Sequence, residues 1–358
     1  MSVDVVSIKC TDVNSEIQSG IQSRIGLRVH GGTDALGKPA YDFSTNSNAL
    51  GPCPEVVERL RATDCSSYPD PDYHDLRAAL AQWHGVDPER IVFAASASEF
   101  IFRITQTVAA NSLGRTRAWW PEHSYTDYAM AARAHSVVQT STPVQAHLIW
   151  ACDPASPLGC GQENLSSLLN QLQARQTMIL DCAYQPLRLQ ADVSLSAQQR
   201  DQIWQLWSPN KALGLTGIRG AYAIAPKGAE TLVSTLRQSA FSWPLGAHAV
   251  TMLEAWTTPQ VQTWLAQSLL SLSVWKERQI DLCKKLNWTV LPSVANFYCA
   301  TPPLSSRFDS EELLRTLRFS GIKLRDTTSF GLPGSFRLRV MSPEAQDALY
   351  FALSRLNL

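Results

Sequence analysis

The sequence predicts an α/β protein in which a mainly parallel sheet, covered on both faces by helices, is followed by a small α+β domain. Three observations carry this expectation. Short apolar runs, "RIVFAA" (90–95), "AHLIWAC" (146–152), "TMILDCA" (177–183) and "GAYAIAP" (220–226), have the length and composition of buried strands. Helical patterns such as "LRAALAQWHG" (76–85) and "NLSSLLNQLQA" (164–174) alternate with them, and that alternation implies right-handed crossovers and parallel strands. After Pro244 the rhythm changes. A long helical stretch from "GAHAVTMLEAW" to "LLSLSVWKERQIDLCKKL" leads into the short segments "SVANFYCA", "GIKLRD" and "SFRLRVM" and a last helix, "PEAQDALYFALSRL".

A chain of 358 residues can bury a large core plus a smaller one. Lys+Arg and Asp+Glu both total 31, so no charge surplus draws the molecule to nucleic acid or an anionic membrane, and a small-molecule ligand is expected instead. The eight cysteines are scattered without a CxxC pair, which disfavours a zinc or dithiol site, and no metal ligand set is expected. No apolar stretch reaches spanning length, and the first twenty residues lack the basic-then-apolar order of a secretory signal. The reading is a soluble cytoplasmic protein with reduced thiols.

In such a sheet the functional groups gather beyond the strand carboxyl ends. After the first run, Ser96 and Glu99 form an S-x-x-E capping box, and Phe100, Ile101, Ile104 and Val108 give the helix that follows its buried stripe. The free N–H groups of that helix start can hold an anion, although any well-made helix needs a cap. Asp181 closes the run "TMILD", with Tyr184 just beyond; a carboxylate leaving a strand there faces the ligand crevice or caps a turn. Lys211 stands among small residues in "LWSPNKALGLTGIRGAY". Lysine is seldom buried without a reason, because burial disfavours its charge, and the resulting neutral amine can condense with an aldehyde. An anion site, a carboxylate for a ring nitrogen and an amine for an aldehyde are together the parts that hold pyridoxal phosphate, with Ser208 and Arg219 as further phosphate ligands.

The stretches "HGG" (30–32), "DFSTNSNALGP" (42–52), "YPDPDYHDLRAALAQWHGVDPERIV" (68–92), "ASEFI" (97–101), "DCAY" (181–184), "SPNKALGLTGIRGAY" (208–222), "SVANF" (293–297) and "GIKLRDTTSFGLPGSFRLRV" (321–340) resemble fold-type I pyridoxal-phosphate enzymes of the histidinol-phosphate aminotransferase-like group. Within it they most resemble the L-threonine-O-3-phosphate decarboxylases of cobalamin biosynthesis. The resemblance implies a seven-stranded-type sheet in a large cofactor-binding domain, residues 51–245, and a connecting helix, residues 246–280. It further implies a small domain, residues 281–358, and an arm, residues 1–50, that contributes to the small domain and the active site. It also implies a homodimer with shared active sites.

Carried over residue by residue, Lys211 resembles the lysine that holds the cofactor, Asp181 the partner of its ring nitrogen and Tyr184 the contact to its 3-oxygen. Tyr125 in "PEHSYTDY" would stack on the ring. Ala97, Ser98 and Glu99 would take the phosphate with Ser208 and Arg219, and Tyr68 resembles the tyrosine that reaches the neighbouring subunit's cofactor. Arg337 in "SFRLRV" resembles the arginine that grips a substrate carboxylate. Arg339, two residues on, shares its strand face and leaves that choice open. Arg325, His30 and Asn46 resemble residues around a distal phosphate, and "DTTSFGLPGS" would bring Arg325 and Arg337 together as a hairpin or a close pairing. Three positions depart from the pattern. Ser156 in "DPASPLG", which the resemblance places among the cofactor-binding residues, stands where relatives have an asparagine that contacts the cofactor 3-oxygen, His123 replaces a proline in the stacking loop, and Ala49 replaces the proline usual in "NPLGP". The reaction implied is decarboxylation of threonine phosphate. The alternative is amino transfer on histidinol phosphate or a related amino acid.

Overall fold

Seven strands form one sheet in the order Ile91–Ala94, Ala221–Ile224, Trp204–Trp207, Thr177–Asp181, Leu148–Cys152, Arg117–Trp119, Val138–Gln139. All run parallel except Ala221–Ile224, which is antiparallel to both neighbours. The computed structural model describes residues 30–356 apart from 113, 163, 191–194 and 304–308; residues 1–29 of the expected arm, with Cys10, lie outside them. Among the described residues no helix is long and apolar enough to cross a membrane.

The strands read as unbroken apolar runs because both faces are buried. In "LIWAC", Leu148 and Trp150 enter one core, with the helix Ala97–Asn111, while Ile149 and Ala151 enter the other, with the helices Pro54–Arg61 and His74–His84. The buried Cys53, Cys152, Cys182, Cys283 and Cys299 are free thiols. In the exposed turn "PDPDYH", Asp70, Asp72 and His74 bring ligand atoms within 4.8 Å of one another. There the Asp70 carboxylate accepts from the Asp72 and His74 amides and the His74 ring, which holds its pKa down at about 2 and ties the start of the helix His74–His84.

The expected single connecting helix is two: Ala247–Trp256 and Pro259–Lys285. Pro259 has no N–H to continue the first helix, and its ring pushes Thr258 out of the helical region, to φ −84° and ψ 144°. The second helix, about 40 Å long, runs from the large core into the small domain. There an antiparallel sheet, in the order Arg325–Asp326, Phe336–Arg339, Phe297–Thr301, Thr289–Val290, packs with the helices Ser310–Phe319 and Pro343–Ser354. The arm joins this domain as the strand Tyr41–Asp42, paired parallel with Ile322–Lys323. It then returns to the large domain.

Candidate active site

Where the arm, the strand ends of the large sheet and the small-domain sheet meet, they enclose a cavity of about 610 Å³. The helix Ala97–Asn111 supplies one wall. Ser96 Oγ accepts from the Glu99 N–H at 3.1 Å, which frees the start of that helix to point Ser96, Ala97, Ser98 and Glu99 at the cavity. The reciprocal half of the capping box is replaced: the Glu99 carboxylate pairs with Arg103 at 2.8 Å, a buried guanidinium one helical turn away. Ser98 Oγ lies 3.1 Å from the Tyr125 hydroxyl, which fixes the Tyr125 ring on the cavity wall; burial raises that phenol's pKa.

Asp181 ends the central strand, only 4% exposed. Its Oδ1 accepts from the Ala183 N–H at 2.9 Å and its Oδ2 from the Tyr128 hydroxyl at 2.8 Å. Burial pushes this carboxyl up in pKa, and the nearby Lys211 opposes the shift. Tyr128 is itself stacked on Trp150, with centroids 4.6 Å apart, and stands edge-on to Tyr125. The role of Tyr128 was not read from the sequence, although its spacing of three from Tyr125 on one helix start carried the signal.

Lys211 sits in a wound turn in which Leu213 N–H reaches Pro209 O, Gly214 N–H reaches Lys211 O and Leu215 N–H reaches Asn210 O. The arm braces it: Asn48 N–H donates to Lys211 O at 2.8 Å, Asn48 Nδ2 to Ala212 O at 3.1 Å and Cys53 N–H to Leu213 O at 2.9 Å. Gly51 and Gly214 cross so closely that a Cβ on Gly214 would lie 2.6 Å from Gly51 Cα, and Gly214 has φ +69° besides, so both the contact and the turn require glycine. Lys211 Nζ is 5.1 Å from the Tyr184 ring centroid. Ser208, Asn210 and Arg219 complete this side.

Opposite stands the small domain. Arg325 and Arg337 are direct cross-strand neighbours, 4% and 7% exposed. Arg337 donates to Ser156 Oγ and to Ser44 O, each at 3.1 Å; Arg325 donates to Ser329 Oγ at 2.9 Å and Asp326 O at 2.7 Å. The Phe330 ring lies 4.8 Å from the Arg325 guanidinium carbon and 5.6 Å from that of Arg337. Burial and the charge of Arg337 lower the pKa of Arg325 to about 10. Arg339 instead donates to Ser47 Oγ and Met341 Sδ and does not line the cavity, whereas Arg337 does. His30 and Asn46 border the arginine side, and Ser156 sits beneath Arg337.

Every site residue expected from the sequence therefore lines one cavity, except Tyr68. That residue is 78% exposed, stacked on Trp243 at 4.4 Å, and lines a separate shallow depression that also touches Arg219. Phe330 had no sequence signal, because it lies in a one-turn 3-10 segment, Thr328–Phe330.

A family profile described as aminotransferase class I and II matches residues 38–353. The histidinol-phosphate aminotransferase of Ruegeria pomeroyi is 24% identical over 319 residues, 83% of this chain and 86% of that protein. The structure of L-threonine-O-3-phosphate decarboxylase from Porphyromonas gingivalis superposes with a TM-score of 0.73 at 21% identity, covering 88% of this chain and 98% of that one. Histidinol-phosphate aminotransferase from Sinorhizobium meliloti, in complex with pyridoxal 5'-phosphate, superposes with a TM-score of 0.74 at 17% identity and 98% coverage of each chain. The side chains here fit that cofactor. Ser208 Oγ, Asn210 Oδ1 and both amide atoms of Asn46 are buried on the cavity wall without a partner among the described residues, and such groups call for a polar ligand. A buried carboxylate, an amine and an aromatic wall stand around the same space. With nearly the whole described chain inside the family match and the cavity built from matching parts, this protein belongs to the aminotransferase class I and II family, has the fold-type I architecture and uses pyridoxal 5'-phosphate.

Proposed function

We propose that the protein decarboxylates L-threonine O-3-phosphate, giving carbon dioxide and (R)-1-amino-2-propanol O-2-phosphate, the side-chain linker of cobalamin. The observation that carries this reading is the pair of buried guanidiniums in one cavity, Arg325 and Arg337, neither ion-paired to a carboxylate among the described residues. Like charges placed directly across a sheet oppose each other, and the neutral partners of the two guanidiniums leave their charge uncompensated, so anions between or beside them would stabilise the pair. Threonine phosphate brings two, a carboxylate and a phosphate.

In this reading Arg337 grips the carboxylate with its planar fork, and Arg325, His30 and Asn46 take the distal phosphate. Ala97, Ser98, Glu99, Ser208 and Arg219 hold the cofactor phosphate at the helix start, and Tyr125 covers the ring. Asp181 stays ionised against the ring nitrogen, and Tyr184 faces the 3-oxygen. Ser156 is shorter than the asparagine it replaces and is already engaged with Arg337, so it serves the substrate arginine. Bound pyridoxal phosphate supplies the electron sink for the pair left when the bond from Cα to the carboxylate breaks. Lys211 holds the cofactor before substrate arrives and then delivers a proton to Cα, which balances the loss of carbon dioxide.

Amino transfer is the second reading, favoured by the names of relatives such as the Ruegeria protein. Histidinol phosphate carries one anionic group and would leave one arginine unmatched, although a dicarboxylic amino donor would engage both. Incubation with threonine phosphate, with and without a 2-oxoacid, separates the two. Carbon dioxide released without any oxoacid supports decarboxylation; a strict requirement for the oxoacid, with no carbon dioxide, sinks it. Arg325→Ala should lower kcat/KM for threonine phosphate about ten- to a hundredfold while scarcely touching unphosphorylated threonine, whereas Arg337→Ala should lower both.

The proposal includes a homodimer with Tyr68 donated to the partner's cofactor phosphate. Its exposure beside Arg219, outside its own chain's cavity, supports that role. Lys211→Ala and Tyr68→Phe chains, each inactive alone, should regain activity when mixed into heterodimers; verified heterodimers without activity would contradict it.

A further inference from the structure

We infer that His123 is a positioning residue for the substrate arginines, and that it acts by clasping the cofactor-stacking loop to the turn that carries Phe330. His123 is two residues before Tyr125 in the large domain, and its Nδ1 donates to the carbonyl oxygen of Phe330 in the small domain at 2.8 Å, across 207 residues of sequence. The ring also packs on Gly331, whose left-handed conformation, φ +79°, turns the chain away just after the contact; a Cβ there would sit 3.4 Å from His123 Nδ1.

The clasped turn touches both arginines. Ser329 Oγ accepts from Arg325 at 2.9 Å, and the Phe330 ring lies against both guanidiniums at 4.8 and 5.6 Å. The turn is otherwise held from its own domain, by the Phe330 N–H to Thr327 O and by Asp326 Oδ1, which accepts from Thr328. Among the hydrogen bonds that the turn Thr328–Phe330 makes with described residues, the His123 bond is the one to the large domain, and it ties the arginine pair to the Tyr125 wall. Its role is therefore to set the distance between cofactor and anion pocket, which decides where a substrate's distal anion sits when its amine is at the cofactor. Proline, the usual residue here by resemblance, has no side-chain donor and could not make this bond.

This inference rests on the reading that Arg325 and Arg337 bind a doubly anionic amino acid, and the experiment tests the two separately. The holoenzyme is titrated with O-phospho-L-threonine and half-saturation is read from the change in the cofactor's visible absorbance, for wild type, Arg325→Ala, His123→Ala and His123→Asn. Amide exchange over residues 327–332 is followed in parallel. Loss of the clasp should raise half-saturation about tenfold, the scale of one hydrogen bond in a buried setting. It should also speed exchange in that segment and leave the absorbance of the unliganded holoenzyme unchanged. His123→Asn, which keeps a donor near the position of Nδ1, should recover most of the affinity. If Arg325→Ala raises half-saturation and His123→Ala does not, the clasp is overturned while the anion reading stands. If Arg325→Ala has no effect, the anion reading fails first. If His123→Ala and His123→Asn weaken binding equally, a general packing role replaces the donor role and the inference is overturned.

Discussion

Lys211→Ala is expected to lower turnover by at least about a thousandfold, the scale of losing a positioned proton-transfer group, in a protein that still folds and still takes up pyridoxal phosphate. The fold around the residue does not depend on its amine. Its carbonyl is held by Asn48 and Gly214, and the next two carbonyls by the Asn48 amide and Cys53. The Gly51 and Gly214 crossing fixes the turn through backbone contact alone. Truncation therefore removes the proposed nucleophile and proton carrier while the cavity walls at Tyr125, Ser98 and Ser208 stay in place. Borohydride reduction of the loaded wild-type protein followed by peptide mapping should put the pyridoxyl group on Lys211. Label on any other lysine, or a Lys211→Ala protein that keeps ordinary turnover, would sink the assignment.

How much of this was legible in the sequence follows from where each residue sits. "LIWAC" and "TMILD" announce themselves because both sheet faces are buried and every position is apolar. The strands Arg117–Trp119 and Val138–Gln139 do not, since they are two or three residues long at one edge of the sheet and include exposed polar positions. "WQLW" hides a buried Gln205, whose amide pairs with Arg200 O through a contact no period reveals. At the site, residues whose chemistry is fixed by type and location, Asp181 at a strand end and Lys211 among small residues, were readable. Those that act through orientation were not. Arg337 and Arg339 share a strand face, and only the register separates them: Arg337 stands between Cys299 and Arg325, whereas Arg339 pairs with Phe297 beyond the end of the short strand Arg325–Asp326. His123 looked like a departure from a pattern until the turn it touches was in place.

The groups that line the cavity come from stretches far apart in sequence, and the arm explains how they meet. Residues 41–42 extend the small domain, residues 44–46 border the cavity, and residues 48–53 lie on the lysine turn. One short segment thus carries Asn46 to the arginine side of the cavity and braces Lys211 on the other. Its Ser44 carbonyl also orients Arg337. Coupling of this kind places the anion pocket relative to the amine with few free torsions between them.

Asp181→Asn should cost on the order of a hundred- to a thousandfold in turnover, as for removal of a preorganised electrostatic partner, yet make the cofactor-free protein more stable at neutral pH. The amide is nearly the shape of the carboxyl group: its oxygen can still accept from the Ala183 N–H, and its nitrogen can donate to the Tyr128 oxygen. What it removes is charge. Burial raises the folded-state pKa of Asp181 above the ordinary 3.8, and Lys211 only partly offsets this. A carboxyl group with a raised folded pKa binds its proton more tightly when folded, so the cofactor-free wild type loses stability as pH rises from the ordinary carboxylate range through the raised value. The penalty remains above it. Asparagine has no such penalty, so its advantage should be absent in strong acid, grow through that window and hold at neutral pH. In the loaded enzyme the sign should reverse, because in the proposed arrangement a protonated ring nitrogen would face the carboxylate and turn the buried charge into a paired one. Thermal midpoints of both proteins, with and without pyridoxal phosphate, between pH 4 and 8 would show it: the variant should be ahead without cofactor and gain less from adding it. A cofactor-free variant less stable than wild type at neutral pH would refute the buried-charge argument. A loaded variant with near-normal turnover would remove Asp181 from the mechanism.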